Sequence, residues 1–284
     1  MTDNGYISLN GSLINSDEAS VSPLNRGMMY GDGCFETLKS YNGRFLKWEE
    51  HFDRLKEGLA YLGMHSPIDS AELKKEVSDL LGTNNLSSEE SMVRIQFWRE
   101  GRRGYKSSSS KTFRMIQVNS YTRSSEPLDL LTAKTRCIPS EALERKYKLT
   151  NGLNYIKAAQ EADRHQKDDA VMLTVNGLVS ETTIANLFWM KDGIIHTPSE
   201  ECDLLPGITR GSIISILQER GINIQIGKFE PKSIYEAEAA FCTNSLIEIR
   251  EIRAVDDIQF KTGQKPFEEI LELYEKYKQE ELRK

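Results

Sequence analysis

The 284-residue chain has no apolar run that approaches the roughly 20 residues needed to cross a bilayer. A membrane-spanning helix is therefore excluded as a reading. The opening stretch, MTDNGYISLNG, has neither a basic segment nor an apolar one, so no secretory leader is expected. Basic residues are not in excess: 37 Lys and Arg face 43 Asp and Glu, a net charge of −6. That balance excludes nucleic acid as the main partner, because neutralising phosphates needs a basic face. Cysteine is scarce. Cys34, Cys137, Cys202 and Cys242 are widely scattered and form no CxxC pair, which speaks against a disulfide framework or a thiolate metal site. Reduced thiols fit a cytoplasmic location. His51, His65, His165 and His196 show neither HxH nor HExxH spacing, so no metal is expected.

What is present reads as an ordinary globular chain, 38% hydrophobic and 28% charged, long enough for one large or two modest domains. Asn10-Gly11 and Asn42-Gly43 each separate two strand-like runs and predict hairpins. Trp48, Phe52, Leu55, Leu59 and Leu62 step by 4, 3, 4 and 3, which predicts a helix over 48–64. A second helix is predicted over 69–82, capped by Asp69 or Ser70. Strands 91–98 and 113–121 flank a polar loop that contains Arg99, Arg102, Arg103 and a serine run at 107–110, read as a loop tip. This first half, 1–121, reads as an α+β domain. Residues 122–127 read as a linker and 128–284 as a second domain.

The second half opens with a strand at 128–138 and a helix at about 151–166. Hairpins follow at Asn176-Gly177, expected to be a type I′ turn, and at Asp192-Gly193. A helix is predicted to start at Gly207–Thr209 and to end at Gly221. The stretches 222–229 and 237–252 are strand-rich, and the C-terminus is an amphipathic helix.

Lys148 stands at a strand–helix junction. It reads either as a surface lysine or as a Schiff-base lysine, whose pKa the neighbouring Arg145 and Lys146 would lower. Glu181 reads either as a turn cap or as a buried carboxylate facing a protonated pyridine nitrogen. The returning hairpin offers a route that brings the two together. Helix N–H groups at 207–209, hydroxyls and amides at Cys242–Ser245, and Arg54 would each suit a phosphate, and each also has a purely structural reading.

Six motifs occur in order: YGDGCFET, HFDRL, the segment from Lys148 through LTNGLNYIKAAQEA, VSETTIANLFW, LLPGITR and CTNSLIEI. With them the chain resembles the fold-type IV pyridoxal-phosphate enzymes over nearly its whole length. That family contains branched-chain and D-amino-acid aminotransferases and aminodeoxychorismate lyase. The resemblance implies a smaller α/β N-terminal domain and a larger pseudo-barrel C-terminal domain. It implies pyridoxal 5′-phosphate as cofactor, and a homodimer with the active site between the domains and near the subunit interface. Lys148 resembles the Schiff-base lysine, with Lys146 a poorer-spaced rival. Glu181 matches the carboxylate on the ring nitrogen. Arg54, Ile208, Thr209, Asn244 and Ser245 match phosphate contacts. Tyr30 and Phe35 match pocket walls, and Arg103 a substrate-side arginine. GDGCFET, GRRGY, ANLFW and TNSLIEI look most like the lyase branch, which releases 4-aminobenzoate and pyruvate from 4-amino-4-deoxychorismate. The alternative is an aminotransferase that moves an amino group to a 2-oxo acid. A third reading, a cofactor-binding protein without activity, sits poorly with the intact set of Lys148, Glu181 and Arg54.

Overall fold

The computed structural model describes residues 5–106 and 109–284. Residues 1–4 of the stretch read for a leader, and Ser107 and Ser108 of the serine run, lie outside it. The chain divides into two compact units. The first holds Met1–Thr122 and Tyr147–Asn151, and the second holds Arg123–Lys146 and Gly152–Lys284. The main segment of the first unit ends at Thr122. The return of Tyr147–Asn151 to the first unit departs from the simple division at 122–127, because backbone pairing rather than composition carries it there.

The first unit contains β1 (Tyr6–Leu9), β2 (Ser12–Asn15), α1 (Arg26–Tyr30), β3 (Gly33–Tyr41), β4 (Arg44–Phe45), α2 (Trp48–Tyr61), α3 (Ser70–Thr83), β5 (Glu90–Arg99) and β6 (Thr112–Ser120). Its sheet runs β2-β1-β6-β5-β3-β4 with antiparallel neighbours. Alternation sorts the sheet's two faces. Leu38, Val93, Ile95, Phe97 and Ile116 are buried, while Phe35, Thr37, Arg94 and Gln96 are half-buried on the opposite face. α2 buries Trp48, His51, Leu55 and Leu59, and α3 buries Leu73, Val77, Leu80 and Leu81. Asp69 caps α3 in a capping box with Glu72, a device that stabilises a helix by about 1 kcal/mol.

The second unit contains β7 (Leu128–Arg136), α4 (Leu153–Arg164), β8 (Asp169–Leu173), β9 (Val179–Thr182), β10 (Asn186–Lys191), β11 (Ile194–Pro198), α5 (Ile208–Glu219), β12 (Ile224–Gly227), α6 (Lys232–Tyr235), β13 (Ala239–Asn244), β14 (Glu248–Val255), β15 (Ile258–Gln259) and α7 (Lys265–Glu281). β9 pairs with β8 on one side and with β10 on the other, so β7, β8, β9, β10, β13 and β14 close into a barrel. β11 and β12 extend the sheet beyond β10. Leu130, Val171, Val179, Leu187, Cys242 and Ile252, one from each barrel strand, belong to a single buried core. The contact that closes the ring is Asn186 opposite Glu181. The architecture is the expected two-domain α+β fold with a barrel in the C-terminal part.

Three hairpin turns have the left-handed pair of a type I′ turn: Asn10 and Gly11, Asn42 and Gly43, Asp192 and Gly193. The fourth differs from the expectation. At Asn176-Gly177 only Gly177 has a positive φ, and Gly177 N donates to Thr174 O while Thr174 N donates to Leu178 O. This is a three-residue turn with a bulge glycine. The short helices α1 and α6 carry too few residues for a periodic pattern to announce them.

Candidate active site

Lys148 reaches the first unit through backbone pairing. Phe35 N donates to Lys148 O at 2.9 Å, Thr150 N donates to Gly33 O at 3.0 Å, and Leu149 bridges to Cys34. The Thr150 hydroxyl donates to Gly31 O at 2.6 Å, and the Asn151 amide donates to Tyr30 O at 3.2 Å. The lysine is thereby fixed against the start of β3. Its Nζ lies 4.9 Å from the centre of the Phe35 ring, and the Arg94 guanidinium lies 4.0 Å from the same ring. Burial lowers the pKa of Arg94. Arg94 was not singled out in the sequence. Its signal was present but weak: a cation at an alternating position of a strand, with register pairing needed to place it diagonally from Phe35. Cys34 is no rival nucleophile, since burial and then Glu36 push its thiol up to about 12.

On the helix-facing side of β3, Glu36 is 1% exposed and takes two bonds from Arg54. Arg54 Nε donates to Oε1 at 2.7 Å, and a terminal nitrogen donates to Oε2 at 2.9 Å. His51 Nδ1 is 2.8 Å from Oε2. Burial alone would raise the pKa of Glu36. The Arg54 charge and the His51 and Arg54 contacts overcome that and hold it at about 2. Arg54 is thus oriented by a buried, ionised carboxylate.

Tyr30 ends α1. Its hydroxyl accepts from Gly104 N at 2.9 Å, and its ring is 5.6 Å from that of Tyr105. Arg103 itself is exposed. A cavity of about 510 Å³ opens among Tyr30, Asp32, Leu62, Arg99, Tyr105 and Asn151.

In the second unit Glu181 is 5% exposed on β9. Oε1 accepts from the Tyr155 hydroxyl at 2.6 Å, and Oε2 accepts from Leu205 N at 3.1 Å and from the Asn186 amide at 3.4 Å. Arg145 is 4.0 Å from Oε1, donates to the Tyr155 hydroxyl, and lies over the Tyr155 ring. Its guanidinium is therefore directed at this carboxylate. The Asn186 amide also donates to Leu205 O at 2.8 Å. Leu205 leads directly into α5, whose N-cap is Gly207 with no side-chain cap. A Cβ at Gly207 would lie 2.1 Å from Asn186 Oδ1, so any larger residue there must displace the Asn186 side chain. One hydrogen-bonded unit therefore joins the carboxylate to the start of α5 at Ile208 and Thr209. Thr209 is buried and bonds Tyr274, whose hydroxyl burial pushes up. Tyr155 and Asn186 were missed in the sequence, since helix packing brings Tyr155 to Glu181 and barrel closure brings Asn186.

Asn244 and Ser245 lie where β13 turns into β14. The Asn244 side-chain oxygen accepts from Leu246 N and Ile247 N, both at 2.8 Å, and its amide donates to Ile184 O at 3.0 Å. The Asn244 carboxamide braces the turn that carries Ser245. Among the described residues no group of His, Cys, Asp and Glu could hold a metal ion, and no helix is long and apolar enough to cross a membrane.

Comparison with known proteins gives these features a context. Aminodeoxychorismate lyase of Bacillus subtilis is 28% identical over 258 residues, covering 89% of this chain and 88% of its own. A putative branched-chain-amino-acid aminotransferase of Methanocaldococcus jannaschii is 29% identical over 254 residues, covering 88% of each. The branched-chain aminotransferase of Thermoproteus uzoniensis, solved with norvaline, superposes with a TM-score of 0.90 at 26% identity, over 98% of this chain and 95% of that one. The amino-transferase class IV family model matches residues 33–255. The match spans both the start of β3, where Lys148 is anchored, and the barrel that holds Glu181, and by it this chain belongs to the class IV aminotransferases, the fold-type IV pyridoxal-phosphate-dependent enzymes.

Proposed function

We propose that the protein is an aminodeoxychorismate lyase that converts 4-amino-4-deoxychorismate to 4-aminobenzoate and pyruvate with pyridoxal 5′-phosphate. The residues present suit that cofactor. Glu181 would keep a proton on the pyridine nitrogen, in a setting where neutral donors and a guanidinium at 4.0 Å hold the carboxylate in place. The first-turn N–H groups of α5 lack partners within the helix, and they and Ser245 suit a phosphate, while the HFDRL motif of Arg54 resembles a phosphate contact of the family. Lys148 would hold the cofactor's aldehyde carbon and then move a proton at its Nζ. When bound, the cofactor supplies an electron sink for the pair left on the substrate carbon.

The observation that carries the choice of reaction is the cation-flanked Phe35 ring, with Lys148 on it at 4.9 Å and Arg94 at 4.0 Å. A half-buried arginine on the same ring that Lys148 packs against suits a substrate with more than one carboxylate. 4-Amino-4-deoxychorismate has two, whereas a branched-chain amino donor has one; 2-oxoglutarate, the amino acceptor, also has two, so the amino substrate is what separates the two readings. The aminotransferase reading rests on the names of relatives and is the direct competitor.

One comparison tests both. The holoenzyme is given 4-amino-4-deoxychorismate, and pyruvate and 4-aminobenzoate are measured. In parallel it is given L-leucine or D-alanine with 2-oxoglutarate, and glutamate is measured. Pyruvate release without glutamate formation is the expected result. Glutamate formation with no pyruvate overturns the lyase reading. A purified protein that is colourless and gains no visible absorption with added pyridoxal phosphate overturns the cofactor.

A further inference from the structure

Asp32 is a carboxylate between two arginines, and neither the cofactor nor the lysine needs it directly. Its Oδ2 accepts from Arg26 Nε at 2.7 Å and from Arg99 Nε at 2.9 Å. Each guanidinium has further nitrogens, and these grip backbone. Arg26 donates to Arg102 O at 3.1 Å and to Gly104 O. Arg99 donates to Ser109 O at 2.9 Å, to Gly63 O at 3.3 Å and to Leu62 O. One carboxylate thus sets two rigid forks, and the forks hold the backbone after β5 at Arg102, Gly104 and Ser109.

The same turn holds the lysine. Gly31 and Gly33 flank Asp32, and both carbonyls accept from the Thr150 hydroxyl, two residues past Lys148. Tyr30, on the other side, takes Gly104 N on its hydroxyl and gives its carbonyl to Asn151. Four consecutive residues, Tyr30–Gly33, therefore join the loop to the lysine segment. The cavity of about 510 Å³ lies at this junction.

We infer that Asp32 is a positioning residue: through Arg26 and Arg99 it fixes the loop and the Tyr30 hydroxyl as one wall of the substrate site, in register with Lys148. The inference rests on the proposed function only in taking this cavity as the substrate's side. The loop offers four exposed tryptic sites, Arg102, Arg103, Lys106 and Lys111, so its fixation has a readout independent of catalysis.

The test is Asp32→Asn in the holoenzyme, which keeps the shape and removes the charge that both forks need. Tryptic cleavage after Arg102 and Arg103 is expected to quicken at least fivefold. KM, read with 4-amino-4-deoxychorismate, or with L-leucine if only that is turned over, is expected to rise at least tenfold. The affinity for pyridoxal phosphate, read by absorption, should stay within twofold. Cleavage and KM both within twofold of the parent would overturn the inference. So would a loss of cofactor affinity with KM unchanged, because the residue would then act on the cofactor instead. If Asp32→Asn does not fold, Arg99→Lys is scored on the same readouts, since it keeps the charge and loses the planar fork. A parent protein that binds no cofactor sinks the proposed function, and the cleavage rates still decide whether Asp32 holds the loop.

Discussion

Two buried glutamates, one in each unit, are held in opposite ways. Glu36 is surrounded by cationic or ionisable partners: Arg54 in a two-pronged grip and His51 on the second oxygen. Glu181 is held at bonding distance by a phenol, an amide and a backbone N–H, with its guanidinium neighbour at 4.0 Å. The first arrangement consumes the carboxylate's charge inside the protein. The second fixes its position through neutral donors at bonding distance. A buried carboxylate meant to orient an arginine calls for the first arrangement, and one meant to face a cationic ring nitrogen calls for the second.

Removing the charge from each should therefore fail differently. Glu36→Gln leaves Arg54 without its counter-charge in a buried place, which costs about 3–5 kcal/mol of stability, measured by denaturant unfolding. Glu181→Gln should keep the fold and lower kcat by roughly 10²–10³-fold, the scale of losing one preorganised electrostatic group. If Glu181→Gln instead unfolds the protein while Glu36→Gln only slows it, the contrast is reversed.

Acid sharpens the difference. Glu36 has a folded pKa of about 2, below its unfolded value of about 4.3. A depressed carboxylate contributes stability that is fully present above the unfolded pKa and is lost as pH falls towards the folded one. Its contribution should fade between about pH 4.3 and 2. Glu36→Gln should flatten the stability profile in that window, as followed by urea melts at stepped pH.

Smaller effects probe how Glu181 is carried. Gly207→Ala forces a Cβ onto Asn186 Oδ1 and should weaken cofactor affinity roughly tenfold, read by absorption, by shifting the start of α5. Tyr155→Phe removes one bond to Glu181, about 0.5–1.5 kcal/mol, and should reduce kcat by about three- to tenfold. A Tyr155→Phe enzyme with parental kcat would mean that Leu205 N and Asn186 suffice.

Much of this was legible before any coordinates. The period of Trp48, Leu55 and Leu59 makes α2, Asp69 and Glu72 make the cap of α3, and Asn-Gly and Asp-Gly pairs make three type I′ turns. At Asn176-Gly177 the same dipeptide made a bulged turn, because Thr174 pairs with Leu178 and leaves three residues in the loop. Lys148 and Glu181 could be named from their motifs. Asn244 could be named too, but its carboxamide turned out to serve the β13–β14 turn.

The sequence by itself determined the elements and the family and named candidate reactive groups, since local propensity and motif spacing act within a few residues of chain. Only the tertiary structure decided which groups act on which. Barrel closure put Asn186 opposite Glu181, backbone pairing returned Lys148 to β3, and Asp32 met two arginines that lie six residues before it and 67 after it. Hydrogen bonds of that kind are set by register and burial over long separations, and no local pattern encodes them.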